Sequence, residues 1–504
     1  MFSSLRRAEL AIRRDATLGT LMETLAEIHG DRVLVDEGPT GQLRTYREAA
    51  DLVLLWAGGI ARVAAPGDRV VVATPNTYQQ LLLCLAAAAA GAIPVPVNAA
   101  MRPEEIDHVI ADCGSVLVIR DAAEVEGSDP IAAPVVADPG DTAALFYTSG
   151  TTGKPKGAEL THRALVGTVT MAVLWPGRLR RDEAVVSLPI AHIMGFIVLL
   201  AFASAGVPVH LIERFRPDAV LDAIEVRRST VFIGVPAMFR MLLEAGAEDR
   251  DLTSVRLWAS GADVMPPDLA LQFKKMGASA TLPFVGPVGE AIFAEGYGLV
   301  ETAGGVAAKI SPPLSGFGLG DSLGITLPGY KLRVVDHDGA DAGGGAVGEL
   351  WIKGPGVIRG YWDAPDASAR AVTEDGWLRT GDLVRKGPLG TVVFVGRDKD
   401  VIKRGGYSVY AVEVQAALED HPSVLEAAVL GMPDEKLGEV PVAAVRLTVG
   451  ADLDALDLGE WLLQHIAAYK VPTRFIAVDD LPRTGTNKVQ KDRLRELFEI
   501  DERS

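Results

Sequence analysis

The stretch YTSGTTGKPKG, residues 147–157, combines three glycines with four serine or threonine side chains and two lysines. It follows the apolar run TAALFY, which predicts a strand, and it precedes LTHRALVGTVTMAV, which predicts a helix capped by Thr161. Glycines allow several backbone N–H groups to converge on one anion, while hydroxyls and lysines add donors and positive charge. The stretch therefore predicts a loop that binds a polyphosphate.

This loop differs from the Walker A loop of P-loop nucleotide hydrolases. A Walker A loop has four residues between its glycines and ends in Gly-Lys-Ser or Gly-Lys-Thr. Here two residues separate Gly150 from Gly153, and Lys154 is followed by Pro155. The spacing disfavours a P-loop hydrolase, and a plain surface turn would not need hydroxyls and lysines at this density.

Composition limits the classes of protein that the chain can represent. Its 504 residues predict about three domains at roughly 150 residues per domain. A net charge of −17 argues against bulk nucleic-acid binding, since phosphate backbones need a basic surface. Two cysteines, Cys84 and Cys113, provide neither a disulfide framework nor a metal cluster, which favours a reducing, cytoplasmic location.

Two long stretches, residues 70–101 and 184–212, contain no Lys, Arg, Asp or Glu. Prolines and glycines interrupt both, so each predicts a buried strand–helix–strand segment and not a transmembrane helix, which needs about 20 continuous apolar residues. The N-terminus lacks a secretory signal pattern. Four arginines among residues 1–15 leave a peripheral contact with an anionic membrane open, beside the alternative of a solvated helix.

The pattern of apolar runs predicts an α/β fold. Short β-branched runs alternate with Ala- and Leu-rich helical stretches up to about residue 329, which indicates stacked mixed or parallel sheets with covering helices. Shorter strands and Gly/Asp-rich turns predict a β-rich subdomain over residues 329–397 within a large domain, residues 1–397. A small α+β C-terminal domain is predicted for residues 398–504.

At the loop the sequence resembles the adenylate-forming superfamily, and in particular its acyl-CoA synthetases. Further motifs of that superfamily follow in its order: EGYGLVET (295–302), GELWIKGPGVIRGYW (348–362), WLRTGDL (377–383), GRDKDVIKRGGYSVYAVEVQ (396–415) and PRTGTNKVQK (482–491). The resemblance spans nearly the whole chain. It implies that a carboxylic acid reacts with ATP to give an acyl-adenylate and pyrophosphate, after which the thiol of coenzyme A displaces AMP.

The resemblance also implies roles for single residues. ATP phosphates would be held by Thr148, Ser149, Gly150, Thr151, Thr152, Gly153 and Lys156. Glu301 would bind Mg²⁺, and Tyr297 would stack against adenine, with Gly261 and Ala262 on its other side. Gly298, next to Tyr297, is a further candidate cofactor-binding residue. Asp382 and Arg397 would contact the ribose.

Motifs toward the C-terminus add a mobile domain and the second half-reaction. Lys488 would bridge the carboxylate and ATP oxygens and stabilise the anionic transition state. Lys399 occupies the superfamily's hinge position, so the domain of residues 398–504 would rotate between the two half-reactions. Gly405 and Gly406 would form the turn against which the pantetheine of coenzyme A lies.

The acyl pocket is predicted around the apolar segment LPIAHIMGF. His192 matches a position that often gates this pocket, with a core histidine as the alternative, and Phe196 is a candidate lining residue. Apolar segments here and around residues 231–239 favour a fatty acid. No acidic residue lies near FIGVP, where amino-acid adenylating enzymes place one.

Two departures from the pattern keep alternatives open. Val300 replaces a threonine that contacts the α-phosphate, so either Thr302 compensates as a catalytic residue or adenylation is slower. Asn487 replaces a glycine before Lys488. The alternatives to a CoA ligase are an enzyme that loads the phosphopantetheine of an acyl carrier protein, and a nucleotide- or acyl-binding homologue with impaired catalysis.

Overall fold

The computed structural model describes Arg7, Leu10 and residues 16–38, 42–148, 155–167, 169–175, 181–316, 318, 320, 322–387, 391–483 and 489–501. The chain divides into two compact units, the first formed by Met1–Lys331 with Ile352–Leu378 and the second by Leu332–Trp351 with Arg379–Ser504. The predicted hinge at Lys399 concerns motion and stays a prediction.

The helices are numbered in chain order. They are α1 (Leu21–His29), α2 (Tyr46–Ala61), α3 (Tyr78–Ala89), α4 (Pro103–Cys113), α5 (His162–Val166), α6 (Ile193–Ala205), α7 (Pro217–Arg227), α8 (Pro236–Glu244), α9 (Pro267–Met276), α10 (Pro365–Ala371), α11 (Ala411–Glu419), α12 (Leu458–His465) and α13 (Lys491–Asp501). Several begin where the sequence provides a proline in the first turn, as in α4, α7, α8, α9 and α10.

The strands are numbered in the same way. They are β1 (Val33–Asp36), β2 (Leu43–Thr45), β3 (Arg69–Val72), β4 (Ile93–Pro96), β5 (Leu117–Ile119), β6 (Thr142–Thr148), β7 (Lys156–Thr161), β8 (Ala184–Val186), β9 (Val209–Leu211), β10 (Val231–Gly234), β11 (Leu257–Gly261), β12 (Ala280–Leu282), β13 (Gly286–Val288), β14 (Ile292–Leu299), β15 (Gly304–Ser311), β16 (Ile325–Thr326), β17 (Lys331–Val335), β18 (Val347–Lys353), β19 (Leu378–Lys386), β20 (Val392–Arg397), β21 (Val401–Arg404), β22 (Tyr407–Tyr410), β23 (Val424–Asp434), β24 (Gly438–Leu447) and β25 (Arg474–Ala477).

The first unit is built on a nine-stranded sheet in the order β16-β15-β14-β11-β10-β8-β9-β1-β2. Its six strands from β14 to β1 run parallel, and the strands at both edges pair antiparallel. A parallel three-stranded sheet, β4-β3-β5, and the antiparallel pair β6-β7 complete its larger sheets. The predicted α/β class with parallel sheets is confirmed.

Both uncharged stretches fold as strand–helix–strand segments, as the sequence predicts. Residues 70–101 contain most of β3, then α3 and β4, while residues 184–212 contain β8, α6 and β9. Helix α6 is apolar on every side because it is packed within the core of the first unit. Among the described residues, no helix is long and apolar enough to cross a membrane.

The segment after the glycine-rich stretch is different from the prediction. The sequence predicts a helix after the stretch and no strand before it, but residues 156–161 form strand β7, which pairs antiparallel with β6. The cap at Thr161 is present, since its Oγ1 accepts a hydrogen bond from Ala164 N at 3.1 Å. The α-helix that it caps is only α5, and a 3₁₀ helix follows over Val169–Leu174.

The described residues of the second unit form two sheets. Strands β17-β18-β19-β20 form the predicted β-rich segment. Strands β22-β21-β24-β23 form the other sheet, in which β25 pairs parallel with β24. Helices α11 and α12 pack on one face of this sheet, while α13 contributes Leu494 and Phe498 to a separate apolar cluster.

Candidate active site

The glycine-rich stretch connects two strands, β6 and β7, that pair antiparallel. Tyr147 pairs with Gly157 and Thr148 pairs with Lys156 at the ends of β6 and β7. Of the predicted phosphate-binding residues, Thr148 and Lys156 lie at these two ends. The others lie outside the described residues: Ser149, Gly150, Thr151, Thr152 and Gly153.

Helix α4 contacts the described residues on both sides of this stretch. The Tyr147 hydroxyl donates to Asp112 Oδ2 at 2.6 Å, and His108 Nε2 lies 3.0 Å from Pro155 O. Burial and the neighbouring Asp112 carboxylate raise the pKa of Tyr147, so its hydroxyl stays a donor. Sequence patterns did not identify Asp112 or His108, because they precede the stretch by tens of residues.

Strand β7 is also bonded on its other side, by the RGYW end of a predicted motif. Glu159 N donates to Gly360 O at 3.0 Å, and Trp362 N donates to Gly157 O at 2.7 Å. These bonds place Tyr361 between them, opposite Ala158. The position of Tyr361 is therefore fixed by backbone hydrogen bonds to the strand that leaves the phosphate-binding stretch.

Tyr361 joins two of the predicted site residues. Its hydroxyl donates to Glu301 Oε1 at 2.8 Å, and Lys156 Nζ lies 5.7 Å from the centre of its ring. Glu301, which is predicted to bind Mg²⁺, and Lys156, which is predicted to bind phosphate, thus lie beside the same side chain, that of Tyr361. Tyr361 belongs to the motif of residues 348–362, but the sequence alone does not predict its contact with Glu301.

The turn that presents Glu301 depends on Thr302. Thr302 is fully buried, and its hydroxyl accepts from Leu299 N at 2.9 Å and donates to Gly304 O at 2.8 Å. Val300, in the same turn, packs partly against the core. The structure gives Thr302 a role in shaping the turn, and its catalytic role stays a prediction.

The predicted adenine-contacting residues lie at adjacent strand ends. Gly261 at the end of β11 pairs with Gly296 of β14, immediately before Tyr297. Ala262 has a φ of 67°, which turns the chain sharply after β11. At Gly298, a Cβ atom would lie 1.9 Å from Gly304 O, so only glycine fits there. The fold thus brings together the four residues predicted from two distant motifs.

The candidate acyl wall is the start of α6. His192 caps this helix, since its Nδ1 accepts from Met194 N at 3.3 Å. Met194 approaches Gly261, where a Cβ would lie 3.4 Å from its Cε. Phe196 is fully buried and packs edge-on against Phe146, with 5.2 Å between ring centres. The gating and pocket-lining roles of His192 and Phe196 stay predictions.

Asn76 holds the segment that leads into His192. Its Nδ2 donates to Leu188 O at 3.3 Å and to Glu213 O at 2.9 Å, and its Oδ1 accepts from Ile190 N at 2.8 Å. Every polar atom of this amide is thereby engaged with backbone groups more than a hundred residues away. The sequence alone predicts no such role for Asn76, because its partners lie far along the chain.

In the second unit, the two predicted ribose ligands form an ion pair. Asp382 and Arg397 face each other on β19 and β20, and Asp382 Oδ1 lies 2.7 Å from Arg397 Nε. Gly381, which precedes Asp382 in β19, donates from its backbone N to Glu349 Oε1 at 2.9 Å. The Arg397 guanidinium therefore orients the buried Asp382 carboxylate.

The remaining predicted residues of this unit lie farther along the chain. Lys399 lies in the 3₁₀ turn Asp398–Asp400, and burial is the main cause that lowers its pKa. Gly405 and Gly406 form the turn between β21 and β22 with φ of 56° and 87°. Lys488 lies outside the described residues, next to Val489 in the sequence.

This fold and these residues define an adenylate-forming enzyme, and comparison with known families agrees. Residues 22–362 match the AMP-binding enzyme family, and residues 413–488 match the AMP-binding enzyme C-terminal domain. The chain therefore belongs to the AMP-binding family, within the adenylate-forming superfamily.

Relatives of known activity include CoA ligases for aromatic acids. The chain is 32% identical to a feruloyl-CoA synthase of Amycolatopsis sp, covering 91% of this chain and 94% of the relative. It is 34% identical to an indoleacetate–CoA ligase of Aromatoleum aromaticum, covering 90% and 93%. It is 31% identical to the fatty acid–[acyl-carrier-protein] ligase ScoC of Streptomyces coeruleorubidus, covering 86% and 87%.

A solved structure is also similar to this chain over nearly its whole length. ATP-bound MatB from Rhodopseudomonas palustris superposes with a TM-score of 0.83 at 29% identity, covering 96% of this chain and 99% of MatB. The protein is an AMP-forming acid–CoA ligase that uses ATP and coenzyme A. This agreement favours an active enzyme over the binding-only homologue considered from sequence.

Proposed function

We propose that this ligase activates an aromatic carboxylic acid with Mg²⁺-ATP and transfers the acyl group to coenzyme A. The feruloyl and indoleacetate relatives support an aromatic substrate over the fatty acid expected from the apolar segments. Met194 and the neighbouring residues of α6 would form an apolar wall. Such a wall disfavours a charged acyl group, but it is compatible with an aromatic acid as well as with a fatty acid.

The main structural support for this proposal is the hydrogen bond from Tyr361 to Glu301, next to Lys156. Mg²⁺ commonly binds one or two carboxylates together with nucleotide phosphates. Glu301, fixed by a hydrogen bond and adjacent to the phosphate-binding hairpin, suits that ligand set. When bound, the metal would neutralise phosphate charge, while Lys156 supplies a further cation from the protein.

Residues of the second unit would bind the ribose and the pantetheine chain and would stabilise the negative charge that develops in the reaction. Asp382, oriented by Arg397, offers two acceptor oxygens to the two ribose hydroxyls of ATP. Lys488 would stabilise the negative charge that develops when the carboxylate attacks the α-phosphate. In the second half-reaction, the Gly405–Gly406 turn would allow the pantetheine chain to approach the backbone closely.

A substrate panel tests the aromatic proposal. Ferulate, indoleacetate, octanoate and palmitate are compared by AMP release in the presence of ATP, Mg²⁺ and coenzyme A. We expect kcat/KM for the better aromatic acid to exceed that of the better fatty acid by about tenfold or more. A preference for octanoate or palmitate would contradict the aromatic assignment.

The acceptor is tested separately, because the ScoC relative is named as a carrier-protein ligase. Acyl transfer to free coenzyme A is compared with transfer to a phosphopantetheinylated acyl carrier protein at equal thiol concentration. We expect coenzyme A to be the faster acceptor. Faster loading of the carrier would support the alternative function.

The Tyr361→Phe substitution tests the anchoring of Glu301. Removing the hydroxyl leaves Glu301 without its 2.8 Å donor, so we expect a higher Mg²⁺ requirement and about tenfold slower adenylation. The readout is pyrophosphate exchange into ATP as Mg²⁺ is varied. Tyr46→Phe is the matched control, because the Tyr46 hydroxyl donates to Ala203 O at 2.8 Å within the core. An unchanged Mg²⁺ response in Tyr361→Phe would contradict the anchoring role.

A further inference from the structure

Residues 187–192 connect strand β8 to helix α6 and form neither helix nor strand themselves. Leu188 and Ile190 in this segment are buried, so their backbone groups need partners from the protein. The segment leaves the carboxyl end of β8, and β8, β10 and β11 run parallel, so it lies at the same edge of the sheet as Gly261. Ligands of parallel α/β sheets bind at this edge.

The side chain of Asn76 supplies partners for this segment. Its Oδ1 accepts from Ile190 N at 2.8 Å, and its Nδ2 donates to Leu188 O at 3.3 Å. The same Nδ2 donates to Glu213 O at 2.9 Å, just beyond strand β9. One amide therefore joins the two chain segments that follow the neighbouring parallel strands β8 and β9, and its hydrogen bonds fix their relative position.

Direct contacts lead from this segment to the candidate acyl wall. His192 N donates to Pro189 O at 3.1 Å, and His192 Nδ1 accepts from Met194 N at 3.3 Å. A Cβ atom on Gly195 would lie 2.2 Å from Pro189 O, so the start of α6 packs closely against the segment. Met194 in turn approaches Gly261 at the end of β11. A displacement of the segment would therefore move the start of α6 with it.

We propose that Asn76 is a positioning residue for the carboxylic acid substrate. By holding residues 188–190 it sets the position of His192 and Met194 beside the acyl group. The inference rests on the proposed acyl pocket at the start of α6, and it holds for an aromatic acid as well as for a fatty acid. Gly261 is held separately, by the pairing of β11 with β14, so the defect should concern the acid and not ATP.

The test is Asn76→Ala, measured by pyrophosphate exchange with the acid of the substrate panel that has the highest kcat/KM. We expect KM for the acid to rise by about tenfold or more, because a displacement of about 1 Å in a binding wall is costly. KM for ATP should stay within about twofold of the unmodified enzyme. An unchanged KM for the acid, or an equal rise in both KM values, would overturn the proposal.

Two further variants separate positioning from stability. Asn76→Asp keeps the acceptor for Ile190 N but loses both donated hydrogen bonds, so we expect the same selective rise in KM for the acid, and it decides the question if Asn76→Ala does not fold. Gln80→Met is the matched control, because the buried Gln80 amide also donates to three backbone carbonyl groups, but at strands β3 and β4. This control should lower Tm and leave both KM values unchanged. The same pattern in Asn76→Ala would show a purely structural role and contradict the inference.

An enzyme carrying both His192→Ala and Met194→Ala separates the inference from the function on which it rests. If this double variant has a raised KM for the acid while Asn76→Ala and Asn76→Asp are normal, only the positioning role is wrong. If the double variant binds the panel acids with unchanged KM values and in unchanged order, the acyl pocket at α6 is wrong, and the positioning role is overturned with it.

Discussion

Lys488→Ala is expected to lower acyl-adenylate formation by about a hundredfold or more, while transfer of a supplied adenylate to coenzyme A continues. The physical reason is the concentration of negative charge when a carboxylate attacks the α-phosphate of ATP. A fixed cation at the reacting oxygens stabilises that state more than the separated reactants. The measurement is single-turnover formation of acyl-AMP, with the second half-reaction started separately from feruloyl-adenylate.

A lysine outside the proposed site controls for the loss of charge. Lys275 is exposed on α9 in the first unit, and Lys275→Ala should leave both half-reactions unchanged. Near-normal adenylation in Lys488→Ala would contradict the assignment of this residue. A parallel loss of both half-reactions would instead indicate a folding defect, which thermal denaturation would detect.

Asp382→Asn is expected to lower kcat/KM for ATP by about tenfold to a hundredfold, because hydrogen bonds to charged groups contribute about 1.5–3 kcal/mol. The amide offers one acceptor oxygen in place of two and weakens the 2.7 Å contact with Arg397. Binding of the ribose hydroxyls should therefore suffer more than binding of the acid. Initial rates of pyrophosphate exchange at varied ATP and varied acid measure the two effects separately.

Asp341→Asn provides the matched control in the same unit. Asp341 also pairs with an arginine, with 2.5 Å between its Oδ1 and Arg333 Nε, but its side chain is 66% exposed. An exposed pair contributes little, so this variant should have a normal KM for ATP. A KM for ATP that is equally normal in Asp382→Asn would contradict the ribose assignment.

The sequence predicted the fold class because its signals are local. Residues 70–101 and 184–212 lack charge and contain turn-forming prolines and glycines, and both form strand–helix–strand segments. The cap at Thr161 was also predictable from neighbouring residues. Strand β7 was not, since it is stabilised by pairing with β6 and with residues 359–362, which lie far along the chain.

Motifs likewise identified the types of chemical group but not their partners. Glu301, Lys156 and Asp382 could be chosen because short motifs contain them in a recognisable order. The hydrogen bond from Tyr361 to Glu301 joins residues 60 positions apart, and the one from Ile190 N to Asn76 Oδ1 spans 114 positions. Such contacts depend on how strands and helices pack, which a local pattern does not encode.

The glycines, hydroxyls and lysines of residues 147–157 are properties of the chain in any conformation, so the primary structure was enough to predict phosphate chemistry and an α/β class. The tertiary structure decided which partners the candidate site residues have: Asp112 at Tyr147, His108 at Pro155 and Tyr361 at Glu301. The physical reason is that hydrogen bonds and ion pairs require separations of about 3 Å. Only a packed structure brings side chains from distant segments that close.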